Sequence, residues 1–209
     1  MNSTAISKWS RKIATTAIFA SAIFGFAGSN AHAATWALDP AHTNIGFSVQ
    51  HMMLSNVTGE FDKFSGTITA DGEDPKSVVI DVTIDASSID THNDKRDAHL
   101  KSPAFFDVAK YPTITFKSEK VEPDGAGIWK VTGNLTMHGV TKPVVLEVTG
   151  PTPEVNVMGA PHRAASATTT LNRQDYGVAF NKPLDNGGVL VGNDVTITIN
   201  VDAGKKAAQ

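Results

Sequence analysis

Apolar residues recur at every second position along most of this chain. In Thr43 to Gln50, Ile45, Phe47 and Val49 alternate with Asn44, Ser48 and Gln50, and His51 continues the apolar side if the strand runs that far. A period of two marks a half-buried strand. Lys76 to Ala86 carries the clearest alternation, with Val78, Ile80, Val82 and Ile84 set against Asp81, Thr83 and Asp85. Ile128 to Met137 keeps Trp129, Val131, Gly133, Leu135 and Met137 in phase, Val140 to Thr149 keeps Val144, Leu146 and Val148, and Val191 to Val201 keeps Val195, Ile197, Ile199 and Val201. Thr35 to Leu38, Thr113 to Val121 and the small-residue stretch Arg163 to Asn172 add further strands. Within Glu60 to Ala70, Phe61 is out of phase with Phe64, Gly66 and Ile68, which predicts a bulge or bend near Asp62 and Lys63. Asp71 to Pro75, Pro123 to Gly127 and His138-Gly139 read as turns, and Pro151 to Pro161 as a looser connector.

The stretch from Ser88 to Pro112 breaks the alternation. Asp90 and Thr91 suit an N-cap, and no Pro or Gly follows until Pro103, so one helix over His92 to Lys101 is predicted. At helical spacing His92, Arg96 and His99 share one face, and Asn93, Asp97 and Leu100 the neighbouring one. A short, polar helix has to lie against something larger to persist. Eight or nine strands with one helix mean a closed antiparallel barrel or a sandwich. The barrel is preferred, because few edge-protecting prolines or lysines occur inside these strands and closure removes edges. Gly46, Gly66, Gly133 and the small residues from Ala165 to Thr170, counted with the inward set, leave room inside; the alternative is an ordinary packed core.

Composition narrows this picture. Lys8, Arg11 and Lys12, the uncharged apolar run Ile13 to Ala27 and Ala31-His32-Ala33 form a secretory signal peptide over residues 1–33, cleaved before Ala34. Residues 34–209 then form one domain, about 176 residues long. The apolar run is shorter than the roughly 20 residues a bilayer span needs, so no stable membrane insertion is expected. With no cysteine there is neither a disulfide nor a lipid-anchoring thiol, and export without an anchor points to the periplasm of a two-membrane bacterium. Losing three basic residues moves the net charge from −3 to about −6, which argues against nucleic-acid binding.

No catalytic motif is spelled out. His92 and His99 are separated by about 10.5 Å of helix axis, too far to share one ion, so no metal and no cofactor are expected. Arg96 and Asp97, with Lys101 and the helix N-terminus, could hold an anionic head group, or could form a salt-bridged surface helix. Phe105 and Phe106 read as core plugs, and Arg173 with Asp175 as a polar corner where a strand ends.

Several motifs then occur in order: W-x-L-D-P-x-H-T-x-I-G-F-S-V-x-H-M-M from Trp36 to Met53, V-T-G-E-F-D-K-F-S-G from Val57 to Gly66, and S-I-D-T-x-N-x-x-R-D-x-H-L-K-S-x-x-F-F-D-V from Ser88 to Val108. K-Y-P-T-I-T-F-K-S from Lys110, G-N-L-T-M-H-G-V-T-K-P-V from Gly133 and L-N-R-Q-D-Y-G from Leu171 follow. In these the chain resembles the YceI-like family of exported polyisoprenoid-binding proteins. The resemblance implies an eight-stranded antiparallel, lipocalin-like extended barrel with one short helix covering the mouth. It implies an isoprenoid lipid, such as a polyprenyl phosphate, or an isoprenoid quinone in an apolar tunnel, for sequestration, storage or transport. Asn93, Arg96, Asp97, His99 and Leu100 would lie at the mouth near the head group. Strand parity together with the family makes Phe47, Val49, Met52, Phe64, Ile68, Ile114, Phe116, Leu135 and Leu146 the expected lining. Such a protein is not an enzyme; a homodimer stays open. The alternatives are an enzyme acting on the isoprenoid head group through His99, Asp97 and Arg96, and an envelope stress-response interaction protein with incidental lipid.

Overall fold

The structure, a computed structural model, describes residues 33–207 apart from 73 and 186. The signal-peptide segment therefore lies outside the described residues. Among the described residues the strands are β1 (Ala34–Leu38), β2 (Asn44–His51), β3 (Ser55–Phe61), β4 (Phe64–Ala70), β5 (Val79–Asp85), β6 (Ile89–Asp90), β7 (Thr113–Gly125), β8 (Ile128–Met137), β9 (Val140–Thr149), β10 (Val155–Val157), β11 (Ala160–Asn172) and β12 (Val191–Lys205), with one α-helix, α1 (Asp94–Lys101).

These strands fill eight positions of a closed antiparallel ring. β1 and β2 both pair with β12, and their other edges pair with β4 and β3, so each of these pairs is one broken stave. β6 continues β5 past a 3-10 turn at Ala86–Ser88 and pairs with the end of β3. From β5 the ring runs through β7, β8, β9 and β11 back to β12, which closes it, and β10 hangs on the start of β11 outside the ring. The phase change between Phe61 and Phe64 falls where β3 breaks into β4. There the Asp62 amide donates to the Ser88 carbonyl at 3.2 Å and the Lys63 amide to the Ser88 hydroxyl at 3.0 Å, which ties the bend to the turn ahead of α1.

The helix starts two residues later than the sequence predicts. Its N-cap is Asn93, whose side-chain oxygen accepts from the Arg96 amide at 3.0 Å, and not Asp90 or Thr91. The side chains explain the shift. His92 has a left-handed φ of 60°, and Thr91 is buried and bonded to α1 itself. Ser102 ends the helix ahead of Pro103, its amide donating to the His99 carbonyl at 3.2 Å. The connector from Pro151 to Pro161 carries β10, and Arg173–Tyr176 forms a 3-10 turn ahead of the return to β12.

Buried side chains gather in three separate clusters. One, around Ile45, Phe61, Ile89, Ile114, Met137 and Tyr176, lies at the barrel end that α1 covers and takes in Leu100, Phe106 and Val108. A second surrounds Trp36, Leu38 and Ala203 on β1 and β12. The third surrounds Phe116, Val121 and Val131 on β7 and β8.

Candidate functional site

The inner wall of the barrel is uneven. On β9, Val140, Val144, Leu146 and Val148 are half-buried while their neighbours are exposed, and on β12 Val195, Ile197 and Ile199 repeat that pattern. Between these two, β11 turns Ala165, Ala167, Thr169 and Leu171 to the same side. Ala165, Ala167 and Thr169 are short, so the wall is lowest over the middle of β11.

Glycines play a different part from the one their size implies. A Cβ at Gly133 would stand 2.5 Å from Phe116 Cζ, and one at Gly66 would stand 2.9 Å from both Leu38 Cδ1 and Val82 Cγ2. These two positions are thus already filled by neighbouring side chains. Gly46 belongs to the outer surface. It lines a cleft of about 300 Å³ with Asn44, Ser48 and Glu60 on β2 and β3 and with His92 ahead of α1, where the Asn44 amide donates to the Glu60 carboxylate.

Of the expected lining residues, Phe47, Val49, Phe64, Ile68, Leu135 and Leu146 are half-buried on the inner side, and Ile114 and Phe116 are buried in it. Met52 is not in a strand. It sits with Met53 and Leu54 in the turn after β2, at a φ of 53° and 40 % exposed, because the ladder between β2 and β3 ends at the His51 and Ser55 pair.

At the helix, polar side chains bond mainly to one another. Asp97, buried, accepts from the Thr91 amide at 3.0 Å and from the Thr91 hydroxyl, while Arg96 Nε donates to that hydroxyl at 2.7 Å and Nη2 to the Thr91 carbonyl at 2.7 Å. The pair clasps α1 to the strand ahead of it. His99 packs edge-on against Phe105 at 5.0 Å and Phe180 at 4.9 Å, and Leu100 points into the core. Arg173 is buried, donating to the Gly192, Val178 and Val191 carbonyls, and burial pushes its pKa down. Asp175 instead faces Lys142 at 3.4 Å.

The wall has a gap. β9 and β11 share only the pairs Ser166 with Thr149, Ala167 with Val148 and Thr168 with Glu147. Beyond them the strands part around a cleft of about 350 Å³, lined by Lys142, Val144, Thr169, Leu171, Asp175 and Tyr176. Pro143 brings no amide donor to that stretch. Burial raises the Tyr176 phenol pKa, with the Asp175 charge adding to it.

Two polar groups escaped the reading of the sequence. Asp39, His162 and Asp202 bring one ligand atom each within 4.8 Å of one another. His162 Nδ1 lies 2.6 Å from Asp202 and His42 Nδ1 2.8 Å from Asp39, so each carboxylate already has an imidazole partner, and a cation would have to displace it. The second group is Arg163 and Lys205, both 5.3 Å from the Trp36 ring centre. Parity carries the signal for Arg163: it is in phase with Ala165 and Ala167 on the inward side of β11.

The sequence model of the family described as the YceI-like domain matches residues 36–203. A UPF0312 protein of Staphylococcus aureus is 38 % identical over 158 residues, covering 75 % of this chain and 90 % of its own length. Among solved structures, the Campylobacter jejuni YCEI protein is similar at 33 % identity with a TM-score of 0.64, over 81 % of this chain and 97 % of its own. A polyisoprenoid binding domain from Saccharophagus degradans, implicated in plant cell wall breakdown, shares the fold at 17 % identity and a TM-score of 0.60, over 84 % of this chain and all of its own. The match begins in β1 and ends in β12, so that the whole ring is included, and the chain belongs to the YceI-like domain family.

Proposed function

We propose that this chain is a binding protein, not an enzyme, holding a long-chain isoprenoid inside the barrel for sequestration, storage or transport. The observation that carries the reading is the uneven inner wall, in which half-buried Phe47, Phe64, Leu135 and Leu146 line a barrel whose β11 offers only Ala165, Ala167 and Thr169 over its middle. The polyisoprenoid binding domain of Saccharophagus degradans, alike in fold, supports the ligand class. A polyprenyl phosphate and an isoprenoid quinone both meet this description.

Burial of a forty-carbon tail at about 0.8 kcal/mol per carbon gains roughly 30 kcal/mol gross. Noncovalent affinity saturates near 18 to 21 kcal/mol. The remainder is offset by freezing the tail and by imperfect fit. Tail length therefore dominates affinity over the head group. Val49 and Ile68 extend the lining, Ile114 and Phe116 back it, and His99 and Leu100 border the approach. Asn93, Arg96 and Asp97 serve the ligand by holding α1 in position. A head-group enzyme built on Asp97 and His99 is disfavoured, since Asp97 is taken up by Thr91 and His99 is packed against two phenylalanines.

Export to the periplasm belongs to the same proposal, with residues 1–33 removed and Ala34 as the first mature residue. No helix among the described residues is long and apolar enough to cross a membrane. N-terminal sequencing of protein from the native host tests the export. Lipid extracted from that protein is expected to contain one isoprenoid per chain by mass spectrometry, and added polyprenyl compounds to raise its melting temperature. Failure of both measurements rejects the reading.

A further inference from the structure

Arg163 stands out among the inner-wall residues as a cation without an acid. It pairs in register with Ala203, which is buried beside Trp36, so its side chain lies on the inner face. Its Nε is buried and has no hydrogen-bond partner, and no carboxylate among the described residues forms an ion pair with it. A buried guanidinium nitrogen lacking an acceptor is costly, and structures seldom keep one without use.

Its surroundings define what would satisfy it. The guanidinium lies over Trp36, and Lys205 approaches the same ring from β12. Lys205 reaches Glu154 at 3.5 Å, so its charge is already partly met. Asp202 is no substitute partner for Arg163: it sits in register with Ala164, on the outer face, bonded to His162. The planar donor fork of arginine suits phosphate or carboxylate oxygens. Trp36 aligns with Ile68, and Ile68 with Ile80 near the start of β5, whereas α1 follows the end of that strand. Arg163 and α1 are therefore at opposite ends of the lumen.

We infer that Arg163 binds an anionic oxygen group on the end of the bound lipid, at Trp36, with the tail running back toward α1. This rests on the isoprenoid reading and selects a charged isoprenoid, such as a polyprenyl phosphate, over a neutral one. The cargo lies head inward, and the helix covers its tail.

The test compares a polyprenyl monophosphate with the neutral polyprenol of equal length, offered from the same micelles to the mature protein and followed by tryptophan fluorescence. Wild type is expected to favour the phosphate about tenfold, and Arg163→Gln to lose that preference while keeping its affinity for the alcohol. Phosphate preference surviving intact in Arg163→Gln overturns the inference and leaves the isoprenoid reading standing. Wild type binding neither compound rejects that reading and this inference with it. A second measurement needs no variant: the Arg163 Nε–H proton resonance of wild type is expected to move on adding the phosphate and to stay in place with the alcohol. No movement with bound phosphate overturns the inference, as does an equal shift with inorganic phosphate alone, which would make this a plain anion site.

Discussion

The Phe116 ring lies across the bare backbone of Gly133: a Cβ built on that glycine falls 2.5 Å from Phe116 Cζ and 2.7 Å from Cε2. Gly133 stands in register with Ser118, two residues along β7 from Phe116, so the ring reaches diagonally over the ladder into space that only glycine leaves. Replacing Gly133 with Ala has to move the ring or the backbone. The expected cost is about 1–3 kcal/mol of stability, read as a lower urea midpoint at unchanged slope. An unchanged midpoint would mean that Phe116 and the Lys117 carbonyl, also 2.5 Å from that Cβ, both give way freely.

Asp97 is the acceptor that holds α1. Asp97→Ala strands the Thr91 amide and hydroxyl in a buried position, and a loss of about 1–3 kcal/mol is expected. Hydrogen exchange checks its location, since amides of residues 94–101 should lose protection while those of β8 and β9 keep theirs.

Filling the space beside β11 separates cargo binding from folding. Ala167→Phe projects a ring inward between Thr169 and Ala165, where half-buried side chains leave room. Isoprenoid binding is expected to fall at least about tenfold, with the melting temperature held or raised. A variant that still copurifies with lipid in full amount would place the tail elsewhere.

The exposed pair of Asp39 and His42 gives a pH signature. Their bond at 2.8 Å lowers the Asp39 pKa from its usual 3.8 and raises that of His42 from 6.5. The His42 contribution is complete below pH 6.5 and fades as pH rises through its raised value, while the Asp39 contribution is complete above pH 3.8 and fades as pH falls through its lowered one. The tie between the turn after β1 and its own aspartate is thus strongest in weak acid. Proton NMR should find His42 titrating above 6.5 in wild type, and closer to it in Asp39→Asn.

Much of the ring was readable because its staves obey one rule. Ile80, Val82 and Ile84, or Val144, Leu146 and Val148, alternate without interruption, and each lies on the inner face. Even the break at Asp62 and Lys63 announced itself through the phase of Phe61. What stayed hidden depends on contacts distant in sequence. Thr91 looks like a helix cap until Asp97 and Arg96 claim it, which leaves that task to Asn93. Gly133 looks like vacancy until Phe116 arrives from another strand. Met52 is expected in the lining, yet it falls out of phase with Phe47 and Val49, and hairpin closure after His51 leaves it exposed. The inward phase of Arg163 was present in the sequence but went unread, and that its Nε lacks a partner is a fact of three dimensions.

The three rungs joining β9 to β11 stand beside eleven joining β11 to β12. A hoop yields first where it is riveted least, and here the loose rivets sit next to the shortest side chains of the interior. Thermal agitation that parts this seam would widen the lumen sideways without disturbing α1, letting one barrel accommodate tails of differing girth as a split ring admits keys.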